Sequence, residues 1–259
     1  MIIVENKQVD NIPLLHLVKK ENANDQLPFV IFIHGFTSAK EHNLHYAYLL
    51  AEKGFRVVLP EAVYHGERTE GLDEQALMKH FWEIVIRTIH ELSVIKQQFE
   101  NEAIIDCNKI GLAGTSMGGI VTLGALTQYD WIKTAVSLMG MPAYEKFAVW
   151  QLQELEKLQI KMSISNKEVE SILEKIREYD LSLQPEKLTK RPILFWHGQK
   201  DPVVPFSYTY EFYQEIKPLY QSNPERIKFI TDENGGHKVS RKGILNTITW
   251  FEKHLSSSC

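Results

Sequence analysis

The segment Lys109-Ile110-Gly111-Leu112-Ala113-Gly114-Thr115-Ser116-Met117-Gly118 decides how the rest of the chain is read. Lys109 to Ala113 is a short apolar run of strand type, and Met117 to Gln128 carries a helical pattern, so Gly114 to Gly118 turns a strand into a helix. A serine on such a turn projects from tight, strained backbone, and the flanking glycines keep the neighbouring chain clear of it. The five-residue pattern alone is weak, since chance places one in roughly one chain in ten of this length. Its place between a buried strand and a helix makes Ser116 a candidate nucleophile. No dinucleotide-type Gly-x-Gly-x-x-Gly or phosphate-binding Gly-x-x-x-x-Gly-Lys-Ser/Thr pattern competes with that reading.

Outward from this unit, apolar runs rich in β-branched residues alternate with helical patterns, the signature of a mostly parallel sheet covered by helices. Strands are predicted at Phe29 to His34, Phe55 to Pro60, Lys109 to Ala113, Lys133 to Met139, Pro192 to His197 and Arg226 to Ile230. Each is continuous rather than alternating, as strands buried on both faces should be. Met1 to Glu5 and Ile12 to Val18 suit an antiparallel hairpin at one edge, where Pro13 is tolerated. Helices are predicted over Lys40 to Lys53, between a Ser38-x-x-Glu41 capping box and Gly54, and over Asp73 to Phe99, with Phe81, Val85, Ile89 and Leu92 on one stripe. Two more start at Met117 and run from about Lys238 to His254. No repeat or low-complexity linker interrupts the alternation, so residues 1–259 are read as one α/β domain.

Met141 to Gln184 breaks the rhythm, separating two predicted strands by far more than an ordinary αβ connection. Ser165-x-x-Glu168 forms a capping box, Ile164 and Val169 suit a hydrophobic staple, and Val169, Ile172, Leu173 and Ile176 follow the helical period. The first half, with Tyr144, Phe147, Trp150, Leu152 and Leu155, is helical and more aromatic. The segment reads as a small helical cap, the plainer alternative being two helices that brace the sheet edge.

Composition narrows the partner. A formal net charge of −4 without a Lys/Arg block argues against nucleic acid, and no run is long enough for a membrane span, so a small molecule is expected. Met1 to Lys7 has no basic region before its short apolar stretch, so no signal peptide is expected. Cys107 and Cys259 lie far apart and outside any metal-ligand spacing, which suits a reducing cytoplasm and bystander roles for both. His42-x-x-His45 lacks the glutamate and spacing of a His-Glu-x-x-His helix, so neither metal nor cofactor is expected.

A serine hydroxyl attacks only when a base takes its proton, and the base needs a partner to hold its tautomer. Among ten histidines, His237 in Asn234-Gly235-Gly236-His237 lies between the last predicted strand and the last helix, on the same sheet edge as Ser116. His80 and His90 fall inside a helix, on its surface or in the core. The acid is expected on another loop of that edge. Asp201 follows the strand Ile193 to His197, and the order Ser116, Asp201, His237 is that of hydrolases with this elbow; Asp232 is the runner-up. For the oxyanion, the candidates are the backbone N–H groups of Met117, next after the nucleophile, and Phe36, in the turn after the first parallel strand. Gly35 permits close backbone approach there, His34 is read as structural, and Tyr64 and His65 either line the pocket or pin a turn.

His34-Gly35-Phe36, the serine elbow, Gly198-Gln199-Lys200-Asp201-Pro202-Val203-Val204-Pro205 and Gly235-Gly236-His237 together resemble the α/β-hydrolase superfamily over nearly the whole chain. Pro60-Glu61-Ala62-Val63-Tyr64-His65-Gly66-Glu67-Arg68 resembles the branch of small esterases related to dienelactone hydrolases and to the catalytic domain of prolyl oligopeptidases. Dienelactone hydrolases use a cysteine where this chain has Ser116, and prolyl oligopeptidases carry a propeller for which there is no room here. The resemblance therefore implies a serine carboxylesterase for small or medium acyl esters, gaining activity with pH near 6 to 7.5 as the base loses its proton around the ordinary histidine value of about 6.5. A peptidase or amidase, and a hydrolase-fold binding protein without catalysis, stay open as alternatives.

Overall fold

The computed structural model describes residues 1–159 and 165–256. Its strands are β1 (Ile2–Val9), β2 (Ile12–Lys19), β3 (Leu27–Ile33), β4 (Arg56–Pro60), β5 (Ile105–Thr115), β6 (Thr134–Leu138), β7 (Ile193–Gly198) and β8 (Ile227–Asp232). They lie in the order β1-β2-β4-β3-β5-β6-β7-β8, antiparallel from β1 through β2 to β4 and parallel from there to β8. The chain steps outward from β3 to β4 and then returns to place β5 on the other side of β3. That reversal opens a crevice between the C-terminal ends of β3 and β5, where open α/β sheets bind ligands.

The helices are α1 (Leu44–Glu52), α2 (Glu74–Lys79), α3 (Phe81–Asn101), α4 (Met117–Gln128), α5 (Tyr144–Lys157), α6 (Asn166–Arg177), α7 (Phe206–Ile216) and α8 (Arg241–Phe251). Both faces of the sheet are covered, which is why β3 is apolar at every position from Phe29 to Ile33. Phe29, Ile31 and Ile33 enter the core with Ile89 of α3 and Ile120 of α4. Val30 and Phe32 enter the opposite core with Leu50 of α1 and Phe251 of α8. No helix of the described residues is long and apolar enough to cross a membrane.

Several local expectations need correcting. The Ser38/Glu41 capping box does not form: Ser38 Oγ bonds to His42 Nδ1 at 2.9 Å, and Glu41 reaches the Lys40 ammonium at 2.8 Å. Burial of Lys40 draws this segment into a 3₁₀ turn, Lys40–Asn43, so α1 starts only at Leu44. The predicted helix from Asp73 to Phe99 is broken at His80, which lets Leu77 of α2 and both Phe81 and Trp82 of α3 turn inward. The last helix begins at Arg241, capped by Ser240, not at Lys238. The Ser165/Glu168 box does form, whereas Ile164 of the expected staple, like Cys259, lies outside the described residues.

Candidate active site

Ser116 sits between β5 and α4 with φ 55° and ψ −116°, a backbone conformation costly for any residue but glycine. Its surroundings enforce it: Ser116 N–H donates to Leu138 O at 2.9 Å, and Ser116 O accepts from Ile120 N–H at 2.9 Å. A Cβ on Gly118 would lie 2.1 Å from Ile33 O, and one on Gly114 would lie 2.3 Å from the Gly118 carbonyl carbon. Both positions must therefore be glycine for the elbow to rest against β3.

Two loops bring the other groups to the serine. The loop after β7 and the loop after β8 are pinned together by Gln199 N–H to Asp232 O (2.8 Å) and Lys200 N–H to Gly235 O (3.0 Å). Across this junction His237 Nδ1 meets Asp201 Oδ2 at 2.7 Å, and His237 Nε2 lies 2.8 Å from Ser116 Oγ. Asp201 Oδ1 accepts from the Val203 and Val204 amides at 2.8 and 3.0 Å. Facing a carboxylate, Nδ1 carries the proton, which leaves the Nε2 lone pair to accept from the serine hydroxyl. The Asp201 side chain is wholly buried, whereas that of His237 is 21% exposed. Burial alone would raise the Asp201 carboxyl, but hydrogen bonds from His197, His237 and the Val204 amide outweigh it and hold it well below the usual carboxylate range. Asp232, the other acid considered, instead offers its backbone carbonyl to Gln199 and Gly235.

Met117 opens α4 immediately after Ser116. The Phe36 turn abuts the elbow: a Cβ on Gly35 would stand 3.4 Å from Thr115 O and 3.5 Å from Ser116 Cβ. Among the described residues, neither the Phe36 nor the Met117 amide donates to a protein acceptor, so both remain available to an oxygen at the serine.

Beneath that turn lies a buried polar network invisible to motif reading. Glu61, at the end of β4, accepts from Lys40 N–H (3.1 Å) and Lys40 Nζ (3.1 Å) and stands 3.2 Å from His34 Nε2, which the Ala62 amide also meets at 3.0 Å. Burial would raise the Glu61 carboxyl, but it is brought down to about 2; with the Ala62 N–H on the His34 Nε2 lone pair, the Lys40 amide and ammonium are the donors that hold it there. The oxygens of Glu41, Glu61 and Glu67 converge within 4.8 Å, a spacing that could suit a metal ion. The Lys40 ammonium already holds all three, at 2.8, 3.1 and 2.5 Å. His65 lies behind the turn and not in the cavity wall, and Tyr64 points away to Glu83 at 3.3 Å. His42 and His45 are exposed, the first on Ser38 and the second against the Tyr46 ring at 4.4 Å.

A cavity of about 420 Å³ opens beside Ser116 between the sheet edge and the α5–α6 pair. Phe36, Phe81, Trp82, Phe147 and Trp150 give it an aromatic wall, and Leu155, Ile172 and Leu173 close it from the side of α5 and α6. Sequence reasoning passed over His197, whose Nε2 lies 2.9 Å from Val204 O and 3.3 Å from Asp201 Oδ2. Its signal was present in His197-Gly198, just before the acid loop, but nothing local marks a strand-end histidine as more than core.

The model of the prolyl oligopeptidase family matches residues 42–258. A Bacillus subtilis protein named "Putative esterase YitV" is 56% identical over 255 residues, covering 98% of this chain and all of that one. The Escherichia coli "Esterase YjfP" is 28% identical over 258 residues, with 98% and 100% coverage. Among solved structures, TT1662 from Thermus thermophilus superposes with a TM-score of 0.78 at 18% identity over the full length of both chains. The fold is that of the α/β-hydrolases.

Proposed function

The chain belongs to the prolyl oligopeptidase family, and from that premise we propose that it is a serine esterase hydrolysing small or medium acyl esters through an acyl-enzyme on Ser116. The reading rests above all on the row Ser116 Oγ, His237 Nε2, His237 Nδ1, Asp201 Oδ2, with contacts of 2.8 and 2.7 Å. His237 Nε2 takes the Ser116 proton as Oγ attacks the ester carbonyl, and Asp201 stabilises the imidazolium that results. The carbonyl oxygen gains the negative charge and is met by the Phe36 and Met117 amides. His237 returns its proton to the alkoxide leaving group, and water repeats the sequence to release the acid and restore Ser116.

An apolar, aromatic cavity next to the serine favours an acyl group without charge, and α5 and α6 act as the cap over a single hydrolase domain. The partner is a small ester rather than nucleic acid or membrane, and two distant cysteines suit a cytoplasmic setting. The family name keeps an amidase reading in view. Ser116→Ala is expected to lower kcat on p-nitrophenyl esters by roughly 10⁴-fold or more, with the circular dichroism spectrum unchanged. Turnover at the parent rate in that variant would sink the assignment. Matched ester and anilide substrates separate esterase from amidase.

A further inference from the structure

The direction of the Phe36 amide depends on two peptide planes, each held by a buried histidine. The Gly35 carbonyl and the Phe36 N–H belong to one planar peptide, and that carbonyl accepts from His34 Nδ1–H at 2.8 Å. The next peptide carries Thr37 N–H, which donates to His65 Nε2 at 3.1 Å. His65 comes from the loop after β4, 28 residues further along the chain, and its Nδ1 is held 2.8 Å from Val63 O. A carbonyl only accepts and an amide N–H only donates, so His65 has one arrangement open to it: proton on Nδ1, lone pair on Nε2. The residue is 3% exposed, with its ring 5.1 Å from that of His34 and 5.6 Å from that of Phe36. It does not line the cavity, so it reaches the reaction only through the turn.

We propose that His65 is a positioning residue for acyl transfer: by accepting Thr37 N–H on a neutral Nε2, it holds the Gly35-Phe36-Thr37 turn so that Phe36 N–H points at the oxyanion. The proposal rests on the reading of Ser116 as nucleophile and Phe36 as oxyanion donor. A proton on Nε2 would set two N–H groups against each other and turn the Thr37 peptide away. Burial keeps the ring below the ordinary histidine pKa, with His34 adding to the effect and Val63 O and Glu61 opposing it, so the acceptor persists at neutral pH. The buried carboxylate Glu61 and the Lys40 ammonium it pairs with form the layer below. They brace the same loops without touching the Thr37 amide.

Two amide side chains separate the two ring nitrogens. Glutamine places its Oε1 where His65 has Nε2 and can accept from Thr37, whereas asparagine reaches only the Nδ1 position and can serve Val63 O but not Thr37. On p-nitrophenyl butyrate, kcat is expected to fall roughly 10- to 100-fold in His65→Asn and His65→Leu, with KM within about threefold, and His65→Gln should recover most of the loss. A trifluoromethyl ketone that forms a tetrahedral adduct on Ser116 should weaken by the same factors, while the corresponding secondary alcohol, which forms no adduct, binds as before. Parental kcat in His65→Asn would overturn the proposal, as would equal losses in the Asn and Gln variants or equal weakening of ketone and alcohol. Retained turnover in Ser116→Ala would instead remove the acyl-enzyme reading, and no ratio among the His65 variants reports on that.

Discussion

Beneath Ser116 the chain is held by buried polar contacts between distant segments, whereas α5 and α6 above it are joined to the molecule mainly through apolar faces and exposed charges. In the floor, Glu61 ties the start of the 3₁₀ turn at Lys40 to the end of β4, and His65 ties that loop to the Phe36 turn. In the roof, α6 has Ile176 as its only fully buried described residue. Its Arg177 pairs with Glu145 of α5 across the surface, where solvent screens the contact and leaves it weak. Two firmer joints are buried: Asp180 accepts from Glu145 N–H at 2.9 Å and Ser182 N–H at 3.0 Å, and Tyr144 O–H of α5 donates to Ile120 O of α4 at 2.5 Å. The contrast matches what the proposed function asks of each part. Acyl transfer needs donors fixed to fractions of an ångström, while an acyl chain needs apolar volume that tolerates different lengths.

The largest effect should come from the floor. Asp201→Asn keeps the oxygen that accepts from Val203 and Val204 but turns an N–H₂ toward His237 Nδ1. His237 must then carry its proton on Nε2, where it faces the serine hydroxyl as a donor and cannot accept. A fall in kcat of roughly 10⁴-fold is expected, with folding intact, as a tautomer switch produces in other serine hydrolases. Stopped-flow measurement of the acylation burst checks it, and a loss under about tenfold would show that Asp201 does not set the tautomer.

Next comes the charge beneath the turn. Glu61→Gln keeps the shape but leaves Lys40 buried with one carboxylate fewer, so a loss of about 3 kcal/mol in unfolding free energy is expected at pH 7. The pH dependence has a definite sign. The folded carboxyl is held at about 2, below its ordinary value of 4.5, so between those values the unfolded chain takes up a proton that the folded chain refuses. The stabilisation from Glu61 is therefore complete above the upper value and disappears as pH falls through the lower one. Urea unfolding at pH 6 and pH 3 should show a steeper loss in the parent than in Glu61→Gln; identical slopes would place the acid sensitivity elsewhere.

What sequence could show follows the same division. Ser116, Asp201 and His237 each follow a strand end, and a parallel sheet carries all such ends to one edge, so local patterns sufficed to nominate them. The Lys40, Glu61 and His65 contacts join segments 21 to 28 residues apart, and no local pattern encodes such pairings. Two capping boxes make the point in miniature. Ser165 and Glu168 lie exposed, and their box forms as written. Ser38 and Glu41 carry the same signature, but the buried Lys40 claims Glu41 and the box is lost. Likewise the stripe through Phe81 and Val85 correctly marked a helix, yet could not show that His80 interrupts it so that Phe81 and Trp82 both face inward.

The smallest expected effect belongs to the roof. Trp150 stacks on Phe147 with ring centres 5.5 Å apart and planes 11° from parallel, and both rings line the cavity that holds Ser116. Trp150 lines the cavity and is not among the described residues that hydrogen-bond to Ser116, His237 or Asp201, so its loss should be felt by the acyl chain and not by the chemistry. In Trp150→Ala, kcat/KM for a p-nitrophenyl octanoate should fall about tenfold, the range one hydrophobic contact is worth in discrimination, while the acetate ester falls no more than about twofold. The ratio of the two is the measurement. If acetate and octanoate fell together, the cap would be supporting the floor, and the separation between a fixed chemical base and an adaptable roof would not hold. If the ratio moved while acetate held, the aromatic wall of α5 would be the part of the molecule that chooses its ester.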